Sequence, residues 1–282
     1  WFTLFSSEGY RRLKKREASM GREFNDELFR TFALSDSLGA RYAALTATLA
    51  LWERADARAA ARRALAYLPP GAPLKAAIYP VIKPQSNSFV FELESDPAIF
   101  LYVDPEAGPE KFENTLAHEL HHVGLATRCP TRDAAPADTP EGVRSARRWA
   151  SAFGEGLAML AAAGGPDRHP HAVSKPEDRS RWDADVARYP EDFARLERFF
   201  TDLVEGRMRE DEATKKAASF FGVQGPWYTV GWTMAVAVER SQGRKALVDT
   251  VCDPPAFLAA YNRAASPGAP RWPAALLEKL KG

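Results

Sequence analysis

The stretch A-H-E-L-H-H at residues 117–122 decides how this chain is interpreted, because it contains the pattern H-E-x-x-H. Residues four positions apart on an α-helix differ in direction by about 40°, so the imidazoles of His118 and His122 can share one metal ion. Glu119 lies on the flank of that pair, within reach of a water molecule on the metal. The spacing therefore predicts a helix that carries a catalytic metal site.

The helix around this motif is predicted to begin at Pro109 and to end at about Arg128. Four apolar residues lie within about 80° of one another on it: Phe112, Leu116, Leu120 and Val123. His118 and His122 point about 160° away from Leu120 on the same count. We therefore expect the apolar face to pack on a core while the histidine pair faces a cleft.

The histidine cluster has two other interpretations. His118 and His121 are three positions apart and also share a helix face, which would leave His122 free. We prefer His118 with His122, because that pair places Glu119 beside the water. The remaining interpretation is a surface helix with a coincidental group of histidines, since a chance match is expected in roughly one such chain in a hundred.

A catalytic zinc ion usually has three protein ligands, so the pair needs a third. The extended metzincin motif would place Gly and His at positions that hold Leu125 and Arg128 here, which excludes that continuation. His169 and His171 lie in a Pro-rich polar segment, where surface histidines are the ordinary interpretation.

Glu155 is the better candidate for the third ligand. Gly154 and Gly156 flank it inside an otherwise good helix pattern, and each costs about 1 kcal/mol relative to Ala there. We expect the glycines to allow a close approach to the metal helix, so that the carboxylate reaches the ion. The alternative is a helix crossing with a solvent-facing Glu155.

The whole chain predicts a mostly helical α+β fold. Helical patterns cover about 8–34, 36–67, 109–128 and 141–163. A Pro- and Ala-rich loop is expected at 129–140, and a polar loop at 166–181. Later helices are predicted at about 182–187, 190–207, 209–221, 226–242, 243–251, 254–264 and 272–281. Strands are predicted at 76–82, 88–94 and 98–103, in a small antiparallel sheet next to the H-E-x-x-H helix. We expect a helical region at 1–75, a catalytic core at 76–165 and a helical region at 166–282 that closes the cleft.

Composition excludes several classes of protein. The 282 residues carry 38 Lys+Arg and 37 Asp+Glu, a net charge of +1, so the electrostatic footprint of a nucleic-acid-binding protein is missing. With 45% apolar residues the chain has an ordinary globular composition, not that of a disordered protein. No run of about 18 apolar residues predicts a transmembrane helix.

Two features bear on the compartment. The chain begins Trp1-Phe2-Thr3 without an initiator Met. This start is expected either if a targeting segment was removed or if the sequence was trimmed. Cys129 and Cys252 are either one disulfide, which suits an exported protein, or two unrelated buried thiols.

The motif at 117–122 and the segment Gly154–Ala158 together resemble the gluzincin metallopeptidases, and most of all the bacterial zinc-dependent peptidases of the domain-of-unknown-function 5700 type. The segment Trp227–Ala235 also resembles that family, and Ser6–Tyr10 does so more weakly. The resemblance implies a zincin-like core in residues 76–165 and an exported bacterial enzyme. It spans most of the chain, although its strong motifs are short.

The resemblance implies a Zn²⁺ held by His118, His122 and Glu155, with Glu119 as the general base for a metal-activated water. The expected substrate is a peptide or protein, cleaved as an endopeptidase would cleave it. Tyr228 is the candidate donor to the developing oxyanion, because it follows Gly225-Pro226 at a predicted helix start; its alternative role is core packing. By resemblance, strand 98–103 forms the cleft rim and pairs with the substrate.

The sequence departs from gluzincins in two places. Thermolysin-like enzymes carry Asp four residues after the ligand Glu, where this chain has Met159, so the partner that orients a ligand histidine is not identified. The Gly-x-Met-Glu-Asn signature of large aminopeptidases is missing, which gives no support to exopeptidase activity. Two other functions remain open: an inactive zincin-like binding protein, and a zinc hydrolase of a non-peptide amide.

Overall fold

The computed structural model describes residues 1–129 and 138–281, and the mostly helical α+β fold predicted from the sequence is confirmed. The described helices are α1 (Phe2–Ser6), α2 (Glu8–Ser19), α3 (Asp26–Ala33), α4 (Asp36–Gly39), α5 (Tyr42–Trp52), α6 (Ala57–Leu65), α7 (Pro109–Arg128), α8 (Glu141–Ala150), α9 (Gly154–Ala163), α10 (Pro176–Ala187), α11 (Tyr189–Val204), α12 (Glu210–Ser219), α13 (Pro226–Gln242), α14 (Arg244–Val248), α15 (Pro254–Ala264) and α16 (Ala274–Lys281). The strands are β1 (Ala77–Val81), β2 (Phe89–Phe91) and β3 (Ala98–Tyr102). Part of the loop predicted at 129–140 lies outside the described residues.

Several helix predictions were wrong in their bounds. The helical pattern at 8–34 is divided into α2 and α3, and that at 36–67 into α4, α5 and α6. The helix predicted over 141–163 is divided into α8 and α9 by a 3₁₀ turn at Ser151–Phe153. There the Ser151 hydroxyl donates to the Arg148 carbonyl at 2.6 Å, a local bond that competes with regular helix. Helix α10 begins at Pro176, inside the predicted loop, because Pro at the first position and acidic residues in the first turn favour a helix start.

The sheet is mixed, so the predicted antiparallel arrangement was wrong for one of its two pairings. The strand order is β1-β3-β2; β1 pairs with β3 in parallel and β2 pairs with β3 antiparallel. Strand β3 reads A-I-F-L-Y and is buried over its first four residues. A continuous apolar strand needs cover on both faces and favours the central position, between its two sequence predecessors.

Helix α7 contributes one face to a hydrophobic core beneath the sheet. Leu116, Leu120 and Val123 share a buried cluster with Ile99 and Leu101 of β3. The predicted apolar stripe of α7 therefore packs as expected, and its packing leaves the opposite side of the helix to face a cleft.

Helix α9 is fixed by a close crossing with α13. A Cβ on Gly156 would lie 2.1 Å from the Trp232 backbone nitrogen, and one on Gly231 would lie 2.8 Å from the Phe153 carbonyl oxygen. A Cβ on Gly154 would meet α7 only at an ordinary 3.6 Å from the Leu125 side chain. The expected reason for the paired glycines was therefore wrong, because the close approach is to α13 and not to the metal helix.

Two further features complete the fold. Cys129 and Cys252 form a disulfide with their Cα atoms 5.0 Å apart, joining the end of α7 to the segment before α15. Within the part of the chain that the structure describes, no helix is both long enough and apolar enough to cross a bilayer. The division at residues 75 and 165 stays a prediction.

Candidate metal centre and cleft

Three side chains converge where α7 meets α9: His118 and His122 from α7, and Glu155 from α9. Of the three, His118 also lines a cleft. The two Nε2 atoms lie 3.1 Å apart, and Glu155 Oε2 lies 3.3 Å from His118 Nε2 and 3.2 Å from His122 Nε2. The histidine side chains are 15% exposed and that of Glu155 is 18% exposed. The three atoms thus form a nearly equilateral triangle that is partly accessible to solvent.

This triangle fits a zinc ion. Ligand atoms about 2.0–2.1 Å from a tetrahedral zinc lie about 3.3–3.4 Å from one another, close to the observed sides. Two imidazole nitrogens and a carboxylate oxygen also form a donor set of known catalytic zinc sites. Burial alone would raise the pKa of Glu155, but the facing imidazoles of His122 and His118 outweigh it and lower that pKa below its ordinary value. The charged carboxylate is the form that a cation needs.

Glu119 is buried beside the triangle and lines the same cleft as His118. Burial raises the pKa of Glu119 to about 7; His118 opposes this shift, and the Glu155 carboxylate adds to it. A carboxyl group whose pKa lies near neutrality can both accept and donate a proton.

Tyr228 lies in the first turn of α13, across the cleft from α7. Its ring centroid is 6.3 Å from that of His118, with the ring planes 11° apart. Burial, followed by the carboxylates of Glu155 and Glu119, raises the pKa of Tyr228. The phenol therefore keeps its proton near neutral pH, a property that its predicted role as a donor would require.

His121 points away from the cleft and is fully buried. Its Nε2 donates to the Tyr67 carbonyl at 3.2 Å, and burial lowers its pKa to about 3. The alternative ligand pair of His118 and His121 is therefore wrong, because this imidazole attaches α7 to the segment after α6. On the same face of α7, a Cβ on Gly124 would lie 2.2 Å from the Leu68 side chain. The glycine therefore allows Leu68 to pack closely against the helix.

The remaining histidines lie outside the triangle. His169 Nε2 is 2.9 Å from Asp183 Oδ1 near the surface. His171 is only 4% exposed, so the expectation of a surface histidine was wrong for it. Its Nδ1 lies 3.0 Å from the Ser174 hydroxyl, and it lines the cleft at a distance from the ligand set.

The cleft has a volume of about 700 Å³. Its walls come from one face of α7, from residues 85–88 before β2, from the end of β3, and from segments 171–181 and 222–228. Strand β3 is paired on both sides at residues 98–100, so the expectation that it pairs with a substrate was wrong for those residues. At Tyr102, the backbone N–H donates to the Ser88 hydroxyl at 3.1 Å.

Two residues of the cleft differ from expectation. Met159 lines it where thermolysin-like enzymes carry Asp, and its thioether cannot replace a carboxylate that orients a ligand histidine. Lys111 was not predicted as a site residue, although it is seven positions before His118. That spacing places both residues on one face of α7 and was the signal available in the sequence.

The chain belongs to the family described as "Putative zinc dependent peptidase (DUF5700)", which matches residues 1–267. The resemblance found from the motifs at 117–122 and 154–158 is thereby confirmed. No curated protein and no solved structure shows significant similarity to the chain. The family description supports zinc dependence and peptidase activity as the general class, and the triangle of ligand atoms agrees with it.

Proposed function

We propose that this protein is a zinc endopeptidase of the gluzincin type. The observation that carries the proposal is the convergence of His118, His122 and Glu155 within 3.3 Å of one another, beside a buried Glu119. These three ligands would hold the ion. When bound, zinc supplies Lewis acidity and lowers the pKa of a water molecule to about 7.

The chain's own residues would carry the proton steps. Glu119 accepts a proton from the attacking water and later donates it to the leaving amine, which suits its pKa of about 7. Tyr228 donates a hydrogen bond to the oxygen of the scissile carbonyl as negative charge develops there. Its raised pKa favours this role because the phenol keeps its proton.

A peptide is the favoured substrate because of the family description and the size of the cleft. A volume of about 700 Å³ lies well within the range of clefts that enclose ligands. Walls from α7 and from segments 171–181 and 222–228 enclose a cleft that reaches His118 and Glu119, which suits an internal bond of an extended chain.

Metal analysis tests the ligand set. The wild-type protein is expected to bind one zinc ion, while His122→Ala and Glu155→Gln lose it because a ligand is removed. Glu110→Gln is the matched control, since Glu110 is an exposed residue in the first turn of the same helix. Wild-type protein that binds no zinc, or His122→Ala that keeps it, would contradict the site.

Turnover of a peptide library tests the chemistry. Glu119→Gln is expected to keep zinc and to lose about 10²–10⁴-fold in kcat, the usual contribution of a general base. Normal turnover by that variant would show that the assigned base is wrong. A zinc-loaded wild-type protein that cleaves no peptide would favour a binding protein or a hydrolase of another amide.

We also propose that the enzyme acts outside the cytosol. Support comes from the Cys129–Cys252 disulfide, since such bonds persist in oxidising compartments. Thiol labelling of the protein taken from its native compartment is expected to find neither cysteine free. Labelling of both cysteines there would overturn this proposal without touching the zinc site.

A further inference from the structure

A second polar cluster lies in the cleft, away from the triangle of zinc ligands. Lys111 Nζ donates to the Ser174 hydroxyl oxygen at 2.8 Å, and that oxygen lies 3.0 Å from His171 Nδ1. Lys111 and His171 both line the cleft. Among the described residues, the buried His171 Nε2 has no hydrogen-bond partner within 3.5 Å. Burial lowers the pKa of His171 to about 4, and the nearby Gln224 side chain, which also lines the cleft, opposes that shift.

The donors and acceptors in this chain of hydrogen bonds determine which ring nitrogen of His171 carries the proton. A lysine ammonium can only donate, so the Ser174 oxygen is its acceptor. The Ser174 hydroxyl can then donate to His171 Nδ1, which leaves the ring proton on Nε2. An unpartnered buried donor is destabilising, so a group that accepts its hydrogen bond in the bound state would recover that cost.

The positive charge of Lys111, at this end of the cleft, has no carboxylate partner at close range. Asp178 pairs with Arg181 at 2.8 Å, and Lys175 lies between Glu106 at 2.6 Å and Asp104 at 3.7 Å. Within residues 1–129 and 138–281, no carboxylate forms an ion pair with Lys111. Burial accordingly lowers the pKa of Lys111, with Asp178 and Asp104 opposing the shift from farther away.

The position of Lys111 relates this cluster to the zinc ligands. Lys111 lies seven positions before His118 on α7. On a helix this spacing is about 10 Å along the axis, and the two side chains project in nearly the same direction. An extended peptide advances about 3.3 Å per residue. A group bound at Lys111 would therefore be about three residues away from the bond at the triangle.

We propose that Lys111, Ser174 and His171 form a carboxylate subsite for the peptide substrate. The carboxylate belongs either to an acidic side chain or to the C-terminus, about three residues from the cleaved bond. It accepts hydrogen bonds from Lys111 Nζ and His171 Nε2. This inference rests on the proposed peptidase function and adds an acidic substrate preference to it.

The test compares peptides that carry Glu or Gln at each position around one scissile bond, with the C-terminus either free or amidated. The zinc-loaded wild-type protein is expected to show kcat/KM at least about tenfold higher for the carboxylate at one position, the usual gain from hydrogen bonds to a charged group. A preference for internal Glu in amidated peptides identifies a side chain, whereas a preference for the free C-terminus identifies the terminal group. Either result supports the subsite.

Substitutions of Lys111 test whether this residue causes the preference for a carboxylate. Lys111→Met is expected to lower the Glu/Gln ratio to about one, because the cation is removed. Lys111→Glu is expected to favour Lys over Gln at the same position, a gain that an unfolded protein cannot show. Lys175→Gln is the matched control, since Lys175 lies in the same cleft with acidic partners, and it is expected to keep the ratio.

Three results would overturn the subsite. Wild-type protein could cleave Glu and Gln peptides equally and also make no distinction between free and amidated C-termini. The preference could be lost equally in Lys175→Gln and Lys111→Met, or a folded Lys111→Glu could show no reversal. The first of these leaves the peptidase function intact. If no peptide is cleaved, the proposed function fails. The subsite is then tested by the affinity of zinc-loaded Glu119→Gln for Glu and Gln peptides, where equal affinities overturn it.

Discussion

The two helices that supply the candidate zinc ligands are built differently. Helix α7 buries one side against β3 and another against α6 and the segment after it, and its remaining side faces the cleft. Its candidate ligands His118 and His122 therefore follow helical spacing. Helix α9 is buried on all sides, and Glu155 is both its only charged residue and its only residue that is not buried. Helical periodicity therefore positions the histidines, while the contact with α13 positions the carboxylate.

The largest expected effect comes from removing zinc, because the ion would join the two helices directly. At zinc concentrations a thousand times the Kd, chelation is expected to lower the free energy of unfolding by about 4 kcal/mol. Urea unfolding with and without chelator measures this difference. Glu155→Gln should unfold identically under both conditions, and a wild-type curve that chelator does not shift would contradict the link.

The next largest effect concerns the packing of α9 against α13. Gly156→Ala is expected to cost at least about 3 kcal/mol, because the new Cβ would lie 2.1 Å from the backbone nitrogen of Trp232. Chemical denaturation measures the cost, and zinc analysis should show weaker binding as Glu155 moves. Unchanged stability would mean that α13 does not fix α9.

A smaller effect is expected on the buried face of α7. His121→Leu leaves the Tyr67 carbonyl without its donor and should cost about 2 kcal/mol in the free energy of unfolding. Zinc content should stay at the wild-type value. His122→Leu, one residue further, should lose the ion instead. Loss of zinc in His121→Leu would revive the alternative ligand pair.

The smallest effect should be favourable. Gly154→Ala places a Cβ 3.6 Å from the Leu125 side chain, an ordinary contact, and it removes a glycine from a helix. We expect a gain of up to about 1 kcal/mol in the free energy of unfolding, measured beside Gly156→Ala. A loss would indicate that α9 does need a close approach to α7 at this position.

Much of the candidate site was predictable because its rules are local. The bounds of α7 and its apolar face follow from residues within 20 positions of one another. The convergence of Glu155 with His118 and His122 was also expected, although for a wrong reason. The glycine beside it serves the crossing with Gly231, 75 positions later, which no local pattern reveals.

The sequence alone determined the helical character, the motif, the ligand candidates and the family, because helix periodicity and the H-E-x-x-H spacing are properties of short segments. Tertiary structure decided the rest. It placed β3 between β1 and β2, buried His121, and joined Lys111 to Ser174 across 63 residues. These outcomes depend on which distant segments share a core, and packing over the whole chain settles that.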